Sequence, residues 1–198
     1  MMMTPELIEH FSENGLLKKA SVFDPKKLEW MNGQHLNMLP LADVEPLITP
    51  AMVGAGLATT EWIASHHDWY ATLLDLLRVR SRTVDDVVRQ AAPYFGNDVA
   101  LDPDAVAKQW KDPTTADVLA DARQALAGVA EWSTPPLEDA LRRVAESRGV
   151  GAGKLFQPLR VALTGSAVSP GIFDVLVLLG RDRSLRRLDA ALRQLGRG

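Results

Sequence analysis

Apolar residues recur at helical spacing along most of the chain, and no run alternates for long enough to make a convincing strand. Thr4-Pro5-Glu6 opens a first helix whose stripe is Leu7, Ile8 and Phe11, and Asn14-Gly15 ends it. Asp24 caps a second, Pro25 starts it and Gly33 stops it, with Phe23 and Leu28 placed to form a hydrophobic staple. Residues 40–60, rich in Pro, Gly and Thr, read as a connection with short helical turns. Residues 60–78 repeat Trp62, Ile63, Trp69, Leu73, Leu74, Leu76 and Leu77 near helical spacing, and 78–83 breaks the pattern. A helix follows from Thr83 with Asp85 and Asp86 in its first turn.

Beyond the turn Gly96-Asn97-Asp98, Asp102-Pro103 starts a helix that runs through Val106 to Trp110, and Asp112-Pro113 marks a boundary. Residues 114–130 are strong helix formers. Ser133-Thr134-Pro135-Pro136 caps a helix bearing Leu137, Leu141 and Val144. Gly149 to Gly153 is a hinge, and 154–163 is a further helix. Ser169-Pro170-Gly171 opens a helix that Gly180 closes, and 182–195 is the last. The pattern predicts an all-α fold: a helical bundle and an α-helical cage in two subdomains. One boundary falls near 149–153, and composition shifts near 38–60.

Composition narrows the class. The chain has 198 residues, 46% hydrophobic and 24% charged, which excludes fibrous and disordered chains. Apolar runs such as 175–179 fall well short of the ~20 residues a bilayer span needs. The first residues lack a basic and apolar leader pattern, so no signal peptide is expected. Cysteine is absent, which excludes disulfides, thiolate chemistry and Cys-based zinc sites and makes the cytoplasm the default location. Charge is uneven. Residues 151–198 carry eight basic and three acidic side chains, a local +5 that leaves −8 on residues 1–150 within a net −3. That asymmetry suits a local anionic partner, and equally a solvated arginine-rich helix face.

Candidate chemistry is sparse. No phosphate loop or G-x-G-x-x-G follows a strand. His66 and His67 are adjacent and point about 100° apart on a helix, so they do not chelate one metal together; one is expected to pack on Trp62 or Trp69 and the other to face water. Asp85-Asp86 is placed to cap and to meet a helix dipole rather than to act as an acid/base pair. Trp30 and Trp62 read as core rather than stacking platforms.

Two segments carry more. The first runs Phe23-Asp24-Pro25-Lys26-Lys27-Leu28-Glu29-Trp30-Met31-Asn32-Gly33. The second is Gln157-Pro158-Leu159-Arg160-Val161-Ala162-Leu163-Thr164-Gly165, followed by Ser169-Pro170-Gly171-Ile172-Phe173 and Leu178-Leu179-Gly180. In this order they resemble the C-terminal half of the bacterial glutamyl-tRNA synthetase family, respectively the "F-D-x-x-K-L-x-W-M-N-G" stretch of the stem-contact region and the "Q-P-L-R-x-A-L-T-G … S-P-G-x-F … L-L-G" signature of the anticodon-binding region. Residues 84–150 match only in general character.

The resemblance implies a division into the end of a stem-contact region (1–40), an anticodon-binding helical bundle (41–150) and a C-terminal anticodon-binding subdomain (151–198). It implies tRNA(Glu) as partner through the anticodon loop, no membrane contact and a monomer. Arg160 and the turn Ser169, Pro170, Gly171 and Ile172 match positions that contact the first two anticodon bases. One of Arg78, Arg80 and Arg82, with Arg82 favoured, matches the reader of the last base. The family's "H-I-G-H"-like and "K-M-S-K-S"-like motifs are not found in the sequence, so the chain is expected to begin beyond the catalytic domain. On this reading the chain is not itself an enzyme and needs no cofactor, whereas the parent ligase uses ATP and Mg2+.

Physical chemistry is compatible with these roles. Unstacked loop bases are read by hydrogen bonds to their edges and by packing on planar or apolar groups, and Arg donates bidentately to bases or clamps phosphates. Each residue also has a structural reading: Ser169-Pro170 as a helix cap, Arg160 as an internal ion pair, and 78–82 as a solvated helix end. The alternative function is a noncatalytic helical protein-interaction module without RNA binding.

Overall fold

The structure is a computed structural model that describes residues 4–12 and 22–196, and it is all-α over them. A short α1 (Thr4–His10) is followed by α2 (Pro25–Met38), α3 (Leu41–Gly54), α4 (Thr60–Ser65), α5 (His67–Arg78) and α6 (Val84–Phe95). Then come α7 (Pro103–Gln109), α8 (Thr115–Ala127), α9 (Thr134–Ser147), α10 (Ala152–Thr164) and α11 (Ile172–Gln194). Helices α3, α5 and α6 pack on one another, with α2 and α4 against α5. Helices α7 to α11 form a second group in which α8 and α9 pack on both α10 and α11. Packing therefore runs straight across the 149–153 hinge. The expected end of the first helix at Asn14-Gly15 lies outside the described residues.

Several elements differ from the sequence reading, each for a physical reason. Gly33 does not stop α2, which runs on to Met38. A Cβ at Gly33 would sit 3.2 Å from the Arg82 Cα and the Ser81 carbonyl, so the glycine admits a crossing backbone. The neighbouring Asn32 side-chain amide donates to the Arg82 carbonyl. The Met31-Asn32-Gly33 motif thus joins α2 to the α5–α6 loop. The staple pair Phe23 and Leu28 stays exposed, and so does Trp30 at 54%, which corrects its assignment to the core.

Residues 41–54 are one helix despite Pro46 and Pro50. Both prolines lie on the exposed face, where the carbonyls they free can meet water, while Val44, Ile48 and Met52 bury the opposite stripe. Residues 60–78 are two helices broken at His66 (φ −126°, ψ 31°). The His66 ring stacks on Trp62 with centroids 4.3 Å apart, while His67 meets Glu45 at 3.0 Å.

Gly180 does break the last apolar run. Its φ of 74° and ψ of 169° split α11 into two helical segments. A break there strips carbonyls of the preceding turn of their helical partners. The Trp132 indole donates to the Leu176 carbonyl at 2.8 Å, Trp69 to Leu178 at 2.9 Å, and Arg183 Nε to Leu179 at 3.0 Å. The Trp69 bond also ties the first helix group to the second.

Arginines close other helix ends in the same way. Arg78 Nη1 donates to the carbonyls of Leu36, Asn37 and Leu39 at the end of α2. Arg181 reaches Ala127, Val129 and Ala130 beyond α8 and lies over the Trp132 ring. Arg187, 2% exposed, donates to Pro93, Gly96, Asn97 and Leu163. Burial, with Arg183 close by, pushes its guanidinium down to about 10, so it is still a cation at neutral pH. Much of the +5 of residues 151–198 is therefore spent inside the fold.

At the start of α6, Thr83 and Asp86 form a reciprocal capping box. Burial opposes the Asp86 charge, but hydrogen bonds from the Arg82 and Thr83 backbone and from Arg89 outweigh it and hold the carboxyl below its ordinary value. Asp86→Ala is expected to cost about 1 kcal/mol at neutral pH. Because the folded state depresses this pKa, the contribution is fully present above the unfolded carboxyl's pKa and fades as pH falls through the folded one. Urea melts of both proteins at neutral and acid pH should show the difference shrinking in acid.

Candidate functional site

Arg160 projects from α10 toward the loop that precedes α11. Its Nη1 donates to the Ser169 carbonyl at 3.1 Å, to the Ser169 hydroxyl and to the Pro170 carbonyl. The Ser169 hydroxyl also donates to the Pro170 carbonyl at 3.0 Å. Ser169-Pro170 is therefore not the helix cap: Gly171 is the N-cap of α11, without a side-chain bond, and the turn is held from across the loop by Arg160. Among the described residues no carboxylate pairs with Arg160. Burial lowers its pKa, Tyr94 opposes that shift, and the charge of Arg80 adds to it. Arg80, at the end of α5, thus lies within electrostatic reach of Arg160 although 80 residues separate them.

The Ser169–Pro170 turn walls a pocket of about 370 Å³, with Leu77, Gln90, Tyr94 and Gly165 among the other lining residues. Gly165 ends α10 in the left-handed region at φ 75°, where a Cβ would overlap the Ala100 carbonyl. Its own carbonyl accepts from Asp102 N at 2.8 Å. The Thr164-Gly165 pair thus lets the 99–102 loop close over the end of α10 and complete the pocket.

Of the eight residues singled out from sequence, Arg160, Ser169 and Pro170 come together here, with Arg80 within electrostatic reach. Pro170 and Ile172 are buried, and Gly171 is exposed. Arg80 is exposed and donates to its own helix at Leu76. Arg82 is exposed too. Its backbone is engaged by Asn32 and Asp86, but no hydrogen bond or ion pair involves its guanidinium among the described residues. Arg78 does not join the site: it closes α2 and pairs with Asp75 at 2.7 Å. Sequence reasoning passed over Tyr94 and Gln90. Tyr94 falls on the buried stripe of α6 with Val87 and Ala91, which marks it only as core.

Comparison with known proteins follows this geometry. The profile of the family described as "Anticodon binding domain" matches residues 43–192. Glutamate–tRNA ligase 2 of Rhizorhabdus wittichii is 40% identical over 187 residues, which cover 94% of this chain and 39% of the ligase. The glutamate–tRNA ligase of Desulforudis audaxviator is 34% identical over 193 residues, 96% of this chain and 38% of that protein. The chain thus spans less than two-fifths of the length of these relatives. A crystal structure of a glutamate–tRNA ligase from Elizabethkingia meningosepticum superposes with a TM-score of 0.80 at 22% identity, over 96% of this chain and 36% of that one. The superposed part of that ligase shares this chain's all-α fold.

Proposed function

The chain belongs to the anticodon-binding domain family, and from that membership we propose that it recognises the anticodon loop of tRNA(Glu) as part of a glutamate–tRNA ligase. The observation that carries this reading is the Arg160 contact with the Ser169–Pro170 turn on the wall of a pocket that a second cation, Arg89, also lines. A splayed loop base fits such a site: it finds apolar walls in Leu77 and Pro170 and a guanidinium in Arg89, which lines the pocket. The unengaged guanidinium of Arg82 is free to take a further base or a phosphate, and we assign the last anticodon base to it. Arg78 has no part in this reading, because its donors are already used.

The ligation of glutamate to tRNA with ATP and Mg2+ belongs, in this proposal, to parts of the ligases that the chain does not match. We place the chain in the cytoplasm as a monomer; no helix among the described residues is long and apolar enough to cross a membrane. Purified chain is expected to give no glutamate-dependent ATP–pyrophosphate exchange. Exchange that persists through repurification would overturn this part of the reading.

RNA binding is tested by salt. Affinity for the anticodon stem-loop should fall as salt rises, with a log–log slope of about −0.7 for each single-strand phosphate neutralised. Tight binding with a flat salt response would remove the guanidinium–phosphate component, and no binding at low salt would favour the protein-interaction alternative.

A further inference from the structure

The pocket behind the Ser169–Pro170 turn contains a polar group that the fold leaves unsatisfied. Tyr94 is 1% exposed, and its hydroxyl has no hydrogen-bond partner among the described residues. The other buried tyrosine shows that this fold can pair a phenol, since the Tyr70 hydroxyl lies 3.0 Å from Thr49 Oγ1. An orphaned buried hydroxyl costs about 1–3 kcal/mol, and phenylalanine would fill the same volume without it.

The polar neighbours are turned elsewhere. Gln90 Nε2 donates to the Ser81 hydroxyl, the Ser169 hydroxyl to the Pro170 carbonyl, and Arg160 Nη1 to the Ser169–Pro170 turn. Burial pushes the phenol's pKa well up and keeps it a neutral donor and acceptor, against the opposing charges of Arg160, Arg187 and Arg80. The pocket's ~370 Å³ is within the range of small-molecule sites, roughly 300–1,000 Å³. Its walls combine apolar side chains with the polar Ser169 and Gln90 and the charged Arg89 and Asp102. A flat group with both hydrogen-bond donors and acceptors suits it, which is the chemistry of a nucleobase.

We propose that Tyr94 is a base-reading residue: its hydroxyl takes the hydrogen-bonding edge of an unstacked loop base that enters the pocket between Leu77 and Pro170. This rests on the reading that the chain binds the anticodon loop, and it adds a residue that determines which base is accepted. The hydroxyl is buried, so a base would reach it only by displacing part of the pocket wall.

Tyr94→Phe in the whole chain tests it, by fluorescence titration with the anticodon stem-loop and with versions made abasic at each loop position in turn. The variant should melt at the same temperature as the parent or higher, and its Kd should rise about five- to tenfold. At one loop position, removing the base should weaken the parent by a similar factor and the variant hardly at all, because the two changes delete one interaction. Unchanged affinity would overturn the proposal. So would base-removal penalties equal in both proteins at every position. A lower melting temperature with unchanged affinity would make the hydroxyl an internal structural group and overturn it equally. If the parent fails to bind the stem-loop, the anticodon reading itself has failed; if the parent binds and the variant matches it, only Tyr94 is removed.

Discussion

Arg187→Ala is expected to lower the unfolding free energy by about 3–5 kcal/mol, the scale for leaving several buried carbonyls without their charged donor. Arg187 is 2% exposed and donates to four carbonyls from three segments: Pro93 in α6, Gly96 and Asn97 in the following turn, and Leu163 in α10. None of these carbonyls has a ready substitute, and each orphaned group costs about 1–3 kcal/mol less whatever water can recover. The residue therefore connects the end of the first helix group to the core of the second. Arg187→Lys keeps the charge but not the planar fork, and should recover only part of the loss. Urea denaturation followed by circular dichroism measures both. A loss under ~1 kcal/mol for the alanine variant would mean the network contributes little.

Arg160→Ala is expected to weaken binding of the anticodon stem-loop by about 1–3 kcal/mol, some five- to 150-fold in Kd. Two effects contribute. The variant removes a positive charge held against the pocket's wall, and it releases the Ser169–Pro170 turn that Arg160 holds. Read as an exposed arginine, Arg160 would leave stability untouched. Its half-buried bonds to the turn instead predict a stability cost of about 1–2 kcal/mol, with the fold retained. Ser169→Ala separates the two effects: it keeps Arg160 and its bonds to the Ser169 and Pro170 carbonyls, and should weaken binding less. The loss at Arg160 should be greater for the cognate loop than for one with altered anticodon bases, because a phosphate contact alone would weaken both alike. A folded Arg160→Ala variant with parental affinity would remove Arg160 from the site.

Features set by local chemistry were legible in the sequence. Thr83 with Asp86, Asp102 before Pro103 and the break at Gly180 all stand where capping and turn rules put them. Features set by distant partners were not. Gly33 reads as a helix stop until the Ser81–Arg82 backbone is seen against it. Pro46 and Pro50 read as breakers because their exposure on one face of α3 depends on what α5 and α6 cover on the other. The same holds in the site. The 157–172 motif pointed to Arg160 and the turn that Arg160 holds. Among the arginines at 78, 80 and 82 the resemblance favoured Arg82; in the fold Arg78 closes α2, Arg80 lies within electrostatic reach of Arg160, and Arg82 is exposed with no guanidinium contact among the described residues. The basic excess near the C-terminus suggested an anionic partner, but much of it satisfies helix-end carbonyls, a use that charge counting does not register.

The most direct measurement is a titration of the purified chain with the tRNA(Glu) anticodon stem-loop, alongside the same stem-loop with its three anticodon bases replaced. Both RNAs carry the same phosphates, so nonspecific electrostatics cancel. Mismatches of about 1–3 kcal/mol per specifically read base predict at least a tenfold preference for the cognate loop. Equal affinity for the two loops would contradict anticodon recognition by this chain.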